Sequence, residues 1–595
     1  MDKLLLIIES PGKLKKITQY CKDLGLDAVV RASIGHIREL DKSGEDSRGF
    51  DIEGQRIVSH WEVHTDKKKN LAAIRKEMKG RTVILATDGD REGESIAWHL
   101  MEELKLKNPD RVIYHEITKD AIKKALDSPR KVDMDLVGAA LGRAHLDKMV
   151  GYSGTKRIVW ALDIGAKSMG RVQSSALWLL VSLELKIKAF KPENYFSLSV
   201  QYKEGFKALY RAAKVLAEVP DAESPSEEKE SKDVESDRLT DPKVAAQIKA
   251  IAESQPHRIV SLERQQASLN APAAFTTSTL QQAAGALLKL TPEGTMELAQ
   301  VLYEQGLITY MRTDSVNLSE SFCASALTYL QQTDPTNVPA KTAKHKSKDG
   351  AQEAHEAIRP TAPDMTPDHC AKTLEASAFG KFKGGAAAYH QSAIKLYDLI
   401  WRRAIATQAA PARVDKTKVL LQSGETYWEA RGQTLTFPGY TAYWSNLSAD
   451  SVLPPLTDGQ VLTATAVKAD KKSTTPPSRF SEPRLIQEME KKGIGRPSTY
   501  ASTVKTLKER HYAEIDKGKL VVTPMGMELM AFLDHVIPNL VRPKFTADME
   551  ASLDKIAQGK LNWQTFLADF YSQTFAPSLS KAEAVIAVLK QKTPA

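Results

Sequence analysis

The chain has 595 residues, with 83 Lys and Arg against 74 Asp and Glu, a net charge of +9 and a pI near 9.0. That length accommodates several domains, and the basic balance suits a polyanionic partner. The 42% hydrophobic and 26% charged fractions are those of a soluble globular protein. No apolar run approaches the roughly 20 residues of a membrane helix, so no membrane partner is expected. Cys21, Cys323 and Cys370 are too widely spaced for a disulfide framework or a zinc pattern, which suits a reducing, cytoplasmic setting.

In chain order, Lys3 to Ile8 (KLLLII) is an apolar run of strand length. Ser10 suits a helix N-cap and Pro11 the first helical position, which leaves Glu9 at the strand's carboxyl end. The design recurs at Thr82 to Ala86 (TVILA), with a helix opening near Glu94 and Asp88, Asp90 and Glu92 on the loop between. Active groups of open α/β sheets gather at carboxyl strand ends, so Glu9 is expected to face this loop. Four converging carboxylates repel one another unless a cation sits among them, and hard oxygen donors favour Mg²⁺ over zinc. Taken alone, Asp-x-Asp-x-Glu reads more simply as an acidic loop welcome at a helix N-terminus. Residues 1–150 thus form an α/β domain, with about 34–61 looping out of it.

From Gly138 to Lys188 the pattern is helical, with Arg143, Lys148, Lys156 and Arg157 close to Tyr152, then Ser168, Arg171 and Gln173. Basic side chains supply phosphate contacts and an aromatic offers a stacking surface, although each cluster alone also fits a solvated helix face. Glu218 to Asp237 holds nine acidic residues against Lys229 and Lys232, a net −7 that leaves +16 on the rest. With two prolines and few large apolar groups, it reads as a disordered insertion. Residues 195–268 and 412–472 are rich in β-formers and flank a helical stretch, 269–411. Residues 473–595 return to helix, with Arg496, Ser498 and Thr499 at a helix start, Pro497 in its first turn and Arg510 beyond. No G-x-x-x-x-G-K-[ST] occurs, so ATP use is not expected.

The most informative run is GLITYMRTDSV, Gly306 to Val316. A tyrosine hydroxyl, with a pKa near 10, is a poor nucleophile without help. A guanidinium two residues on, at Arg312, favours phenolate and can clamp a phosphate oxygen. An isolated Tyr-x-Arg is weak evidence; the acidic cluster far upstream strengthens it.

Together these residues resemble a known family. IESPGK with ATDGDREGESIAWHL is similar to the Toprim domain of type IA topoisomerases, primases and some nucleases, and GLITYMRTDS to the active-site tyrosine motif of the type IA topoisomerases. IGHIREL, HEITKDAI, SMGRVQS, QEAHEAIRPT and RFSEPRLIQEMEKKGIGRPSTYAS follow in family order. Met311 and Arg359 resemble the bacterial topoisomerase I branch. The resemblance implies a multidomain α/β + α + β fold: a Toprim domain with helical domains and a β-rich hinged arch closing a torus. In it, 151–194 and 473–595 form a DNA-binding base, 195–268 and 412–472 the arch, and 269–411 the helical domain carrying the tyrosine.

It also implies Tyr310 as nucleophile giving a 5′-phosphotyrosine, with Lys13 and Arg312 stabilising charge, Glu9 as proton donor and His355 supporting the phosphate. Glu9, Asp88, Asp90 and Glu92 become the Mg²⁺ site. His36, Arg143, Asp147, Tyr152, Ser168, Arg171, Gln173, Arg312, Arg496, Ser498, Thr499 and Arg510 become DNA contacts. The expected enzyme is an ATP-independent isomerase, monomeric and nucleoid-associated, acting on single-stranded and underwound double-stranded DNA. Two departures from the pattern stand out. Ala144 replaces a usual second arginine, and GTKRIVW replaces Ser-Pro-x-x-Trp, so one phosphate contact is expected to be either missing or replaced by Lys156 or Arg157. The expected absence of C-terminal zinc ribbons is a third. A decatenating type IA enzyme, a Toprim nuclease and a non-enzymatic DNA-binding protein are the competing classes.

Overall fold

The computed structural model describes residues 3–212, 235–341, 345, 356–380, 382, 385–447 and 451–592. His355 and residues 218–234 of the acidic stretch lie outside the described residues.

The first apolar run forms β1 (Leu4–Ile8), the centre of a parallel sheet with β2 (Ala28–Ala32), β3 (Thr82–Ala86) and the short β4 (Asp110–Arg111), in the order β2-β1-β3-β4. Ile8 pairs with both Ala32 and Ala86, so Glu9 and Thr87 leave the sheet side by side at its carboxyl edge. Alternation sends Leu5, Ile7 and Leu85 to one face, under α2 (Arg91–Glu103), which follows α1 (Leu14–Asp23). Leu6, Ile8, Ile84 and Ala86 point to the other. Both faces are therefore covered, as a parallel sheet requires. Residues 34–63 leave this sheet as two small antiparallel ribbons, Arg38–Leu40 with Trp61–Val63 and Phe50–Glu53 with Arg56–Ser59.

The second face shares one continuous core with the region carrying Tyr310. Leu6 and Ile8 join Leu280, Leu298, Leu302, Ile308, Tyr310 and Ile400 in a single buried cluster. Leu280, Leu298, Leu302 and Ile400 come from α5 (Thr277–Ala283), α6 (Pro292–Glu304) and α7 (Ala386–Gln408), which follow α3 (Met134–Lys148) and α4 (Arg171–Ala189) in the chain, and Ile308 and Tyr310 from the segment after α6. Between α6 and the tyrosine, Gly306 has φ +63°, and a Cβ there would meet the Ile117 carbonyl at 2.5 Å. Glycine is needed both for that backbone region and for the close approach of the two domains.

The β-rich segments, separated by some 140 residues of helical chain, make one antiparallel seven-stranded sheet. Its strands are β5 (Asn194–Tyr202), β6 (Lys207–Arg211), β7 (His257–Leu269), β8 (Ala412–Ser423), β9 (Thr426–Phe437), β10 (Val461–Leu462) and β11 (Ala464–Ser473), ordered β10-β7-β8-β9-β6-β5-β11. A helix the sequence reading did not separate out, Pro242–Ser254, packs on it around Ala245, Ile248 and Ala252. The base gathers α3 and α4 with α8 (Tyr500–Glu509), α9 (Pro543–Ala557) and α10 (Ala576–Lys592). The chain is thus a multidomain fold of α/β, helical and β-rich parts.

Candidate active site and nucleic-acid groove

Glu9 follows β1 directly, and Ser10 caps the short turn Pro11–Lys13 by accepting from the Gly12 N–H. The capping turn carries Lys13 inward, where its ammonium binds Asp88 Oδ1 and lies 4.8 Å from the centre of the Tyr303 ring. The helix after β3 begins at Arg91, earlier than the expected start near Glu94. Asp90 is its N-cap, with Oδ1 accepting from Gly93 N at 2.8 Å. Glu92 therefore sits in the helix's first turn and not on the loop, because Asp90 captures the first free N–H groups. Across the interface, Tyr310 donates its hydroxyl to Asp90 Oδ2 at 2.8 Å, and its backbone N–H binds the His115 carbonyl at 2.8 Å. Arg312 Nη1 pairs with Glu92 Oε2 at 2.7 Å and stands 4.0 Å from Asp90. His36 Nε2 approaches the other Glu92 oxygen at 3.5 Å. The structure thus brings Glu9, Lys13, Asp88, Asp90, Glu92, His36, Tyr310 and Arg312 together.

Burial first, then Asp90 and Asp88, push the Tyr310 hydroxyl well above its ordinary pKa, while Arg312 pulls the other way, toward phenolate, as its place in the motif predicts. The tyrosine is a phenol in this state. Glu9 is pushed up to about 8, by burial first and then by Asp88 and Asp90, so it holds a proton near neutrality. Glu92 moves the other way, to about 2, held ionised by His36 and then Arg312.

All four acids offer hard oxygen donors, and together they outnumber Lys13 and Arg312, which suits a divalent cation. Among the described residues no three His, Cys, Asp or Glu converge on a single point. Asp88 is on Lys13, Asp90 on Tyr310 and Glu92 on Arg312. Mg²⁺ commonly takes one or two carboxylates with water and phosphate oxygens, and Asp88 and Asp90 fit that demand.

A cavity of about 510 Å³ opens beside Asp90, Glu92 and Arg312 and runs past His36, Trp61 and His99 to Arg496, Ser498 and Thr499. Arg143, Asp147 and Asp554 also line it. Asp147 and Thr499 are shared with a second groove of about 620 Å³ that contains Tyr152, Ser168, Arg171, Gln173 and Arg510. The expected nucleic-acid contacts therefore lie along one track. Their states differ, however. Arg171 is fully buried, with Nε on Asp147 at 3.0 Å and Nη1 on Glu550 at 2.8 Å. Arg143 binds Glu550 Oε2 at 2.7 Å, and Arg496 binds Asp554 at 2.6 Å. Arg91 shares Asp554 at 2.5 Å. Gln173 holds the Ser168 carbonyl at 3.2 Å, and Tyr152 is 40% exposed, with Lys148 Nζ 4.5 Å from its ring centre.

Two further corrections concern local structure. Pro497 lies in the turn ahead of α8, and Thr499 occupies its N-cap position in αR geometry without capping through its side chain. Lys156 binds Ser47, and Arg157 grips Glu583 on α10 through Nε at 2.6 Å and Nη2 at 3.0 Å. These two cations fasten the base, so Arg157 is not held out for a phosphate.

The sequence reading missed Tyr303, Glu550, Asp554 and Arg91. Tyr303 packs edge-on against Tyr310 at 5.2 Å, and its buried hydroxyl has no hydrogen-bond partner among the described residues. Its position near the end of α6, seven residues before Tyr310, was the available signal. Glu550 and Asp554, four apart in MEASLDKI, carried none.

A DNA topoisomerase family model matches residues 131–568, and a Toprim domain model matches 4–119. The DNA topoisomerase 1 of Zymomonas mobilis is 38% identical over 95% of this chain, and that of Campylobacter jejuni is 36% identical over 96%. The chain spans 45% of the former protein's length and 78% of the latter's. The solved full-length topoisomerase I of Thermotoga maritima superposes with a TM-score of 0.81 at 30% identity, over 97% of this chain and 90% of that one. No helix among the described residues is long and apolar enough to cross a membrane. The chain belongs to the type IA DNA topoisomerases, on the bacterial topoisomerase I branch.

Proposed function

We propose that this enzyme relaxes negatively supercoiled DNA, without ATP, by cutting one strand through Tyr310, passing DNA through the break and resealing it. The observation that carries this reading is the Tyr310 hydroxyl on Asp90 Oδ2 at 2.8 Å, with Glu9 protonated behind it and Arg312 beside it. A single strand lies in the groove from Arg510 and Tyr152 to Arg312, with the base and α/β domains as its walls. As Tyr310 attacks, its proton passes to Asp90, the tyrosyl O–P bond forms and the P–O3′ bond breaks. Glu9 gives its proton to the departing 3′ oxygen. Arg312 and Lys13 balance the charge that develops on the phosphoryl oxygens. His355 is proposed as a supporting phosphate contact.

Asp88 and Asp90 would hold Mg²⁺, which would supply positive charge for a backbone phosphate and offset the repulsion among the acids. Religation reverses each proton transfer. One phosphoester replaces another at nearly equal energy, so strain in underwound DNA drives the net change and no nucleotide is consumed. We place the enzyme, as a monomer, on DNA in the cytoplasm. Residues 34–61 as an outgrowth of the 1–150 unit, and 195–268 with 412–472 as a hinged arch over 269–411, complete the proposed ring.

A 3′-end-labelled oligonucleotide, incubated with Mg²⁺ and quenched with denaturant, tests the mechanism. Label is expected to migrate with the wild-type protein and not with Tyr310→Phe, a loss of at least about 10³-fold. Cleavage with no protein-linked label overturns the reading in favour of a metal nuclease.

A further inference from the structure

The outer groove ends on a residue that the reading above leaves without a role. Met149–Ser153 and Thr155–Val159 run as two successive π-helical turns, and Trp160–Leu162 follows as a single 3₁₀ turn. It closes at Asp163, whose φ of +54° puts it in the left-handed region. A π turn takes up more residues than an α turn and rotates whatever follows, and such insertions gather at functional sites. Here Ile158 and Val159 stay buried while the next side chain, Trp160, is turned outward and left 58% exposed.

Trp160 is nonetheless fixed in place. Its indole Nε1–H donates to the Lys167 carbonyl at 3.1 Å. Tyr512 steadies the same loop, its hydroxyl accepting from Lys167 N at 3.0 Å and donating to the Ser168 carbonyl at 2.7 Å. With its single polar donor used internally, Trp160 offers a ligand only its ring surface, and it stacks on no other ring among the described residues. That surface lines the 620 Å³ groove together with Tyr152, Lys156, Lys167, Gln173 and Arg510. It does not line the inner cavity at Arg312, so it lies beyond the shared Asp147 and Thr499.

We infer that Trp160 is a base-stacking platform that extends the single-strand track past Tyr152, with Lys167 and Arg510 lining the same groove for the flanking phosphates. An aromatic face flanked by cations is the arrangement that holds unpaired bases without regard to sequence. This inference rests on the proposed passage of single-stranded DNA through the groove. It adds a subsite at a defined distance from the scissile phosphate.

The test measures equilibrium binding of the full chain to fluorescein-labelled single-stranded oligonucleotides whose arms are lengthened one nucleotide at a time on either side of a fixed cleavage site. Wild type, Trp160→Ala and Trp160→Phe are compared. Trp160→Ala is expected to weaken binding by about 5- to 100-fold once one arm reaches a threshold length. Trp160→Phe should recover most of that loss. An abasic nucleotide at the threshold position should weaken wild type to the same degree and leave Trp160→Ala unaffected. Equal affinity of Trp160→Ala and wild type at every length overturns the proposal, as does a loss that is independent of length or additive with the abasic site. Wild-type binding without a Tyr310-linked adduct overturns the cleavage mechanism and not the platform. Failure of wild type to bind any single strand overturns both.

Discussion

Two charge clusters lie along the same groove and are resolved in opposite senses. At the sheet edge, Glu9, Asp88, Asp90 and Glu92 face only Lys13 and Arg312, and Glu9 rises to about 8. Around α9, Arg91, Arg143, Arg171 and Arg496 face Glu550, Asp554 and Asp147. Burial alone would raise the carboxyl of Glu550 too, yet Arg143, Arg171 and Arg496 hold it at about 2. Enclosure penalises both acids, and the sign of the neighbouring surplus decides the outcome. One cluster is short of positive charge and suits a metal and an acid catalyst. The other has positive charge in excess and suits a polyanion.

The comparison breaks most sharply at the two central acids. Glu9→Gln removes the proton donor, so single-turnover cleavage is expected to fall by about 10²- to 10⁴-fold while the melting temperature holds, since one buried neutral group replaces another near pH 7. Glu550→Gln strands Arg143 and Arg171 in the interior and should cost about 3–5 kcal/mol in denaturant unfolding. A stable Glu550→Gln protein, or an unstable Glu9→Gln one, reverses the contrast.

Acid titration of stability follows from the same site. Because the folded carboxyl of Glu550 lies below its ordinary 4.5, its contribution is complete above that pH and is lost as pH falls toward about 2. Unfolding followed by circular dichroism should lose that acid-sensitive component in Glu550→Gln. Added Mg²⁺ should stabilise the DNA-free protein by about 2.7 kcal/mol at 100 times its Kd, and Asp88→Asn with Asp90→Asn should abolish the gain in a thermal melt. The smallest effect belongs to Asp554. Asp554→Asn releases Arg91 and Arg496, and single-strand affinity should rise about 3-fold. Arg496→Ala should instead lower the slope of log K against log salt by about 0.7. An equal rise from Asp534→Asn, remote from the groove, would assign the Asp554 effect to net charge alone.

Much of this was legible from local pattern. KLLLII and TVILA are short apolar runs with a cap or an acid directly after them, and the parallel sheet puts Glu9 and Asp88 where that pattern requires. The Tyr-x-Arg motif pointed to the tyrosine and arginine that meet Asp90 and Glu92, since both residues come from one short loop. What stayed hidden was pairing across distance. Arg143 and Arg171 read as open phosphate contacts because their partner, Glu550, is some 380 to 410 residues away in a helix with no distinguishing motif. The resting state of Tyr310 was hidden for the same reason: Arg312 lies two residues on, whereas Asp90 and the burying core arrive from other elements. Position in sequence reveals charge, but only packing reveals the balance of charges.

The core shared between the sheet and the tyrosine-bearing helices has a mechanical consequence. Drawing Tyr310 away from the sheet also breaks its hold on Asp90, the Arg359–Glu116 pair at 2.9 Å and the Tyr310 N–H to His115 bond. It wets apolar side chains worth about 1.5–3 kcal/mol each when fully exposed. If Tyr310 carries the 5′ end as proposed, the apolar seam acts as a spring that draws that end back toward the 3′ hydroxyl.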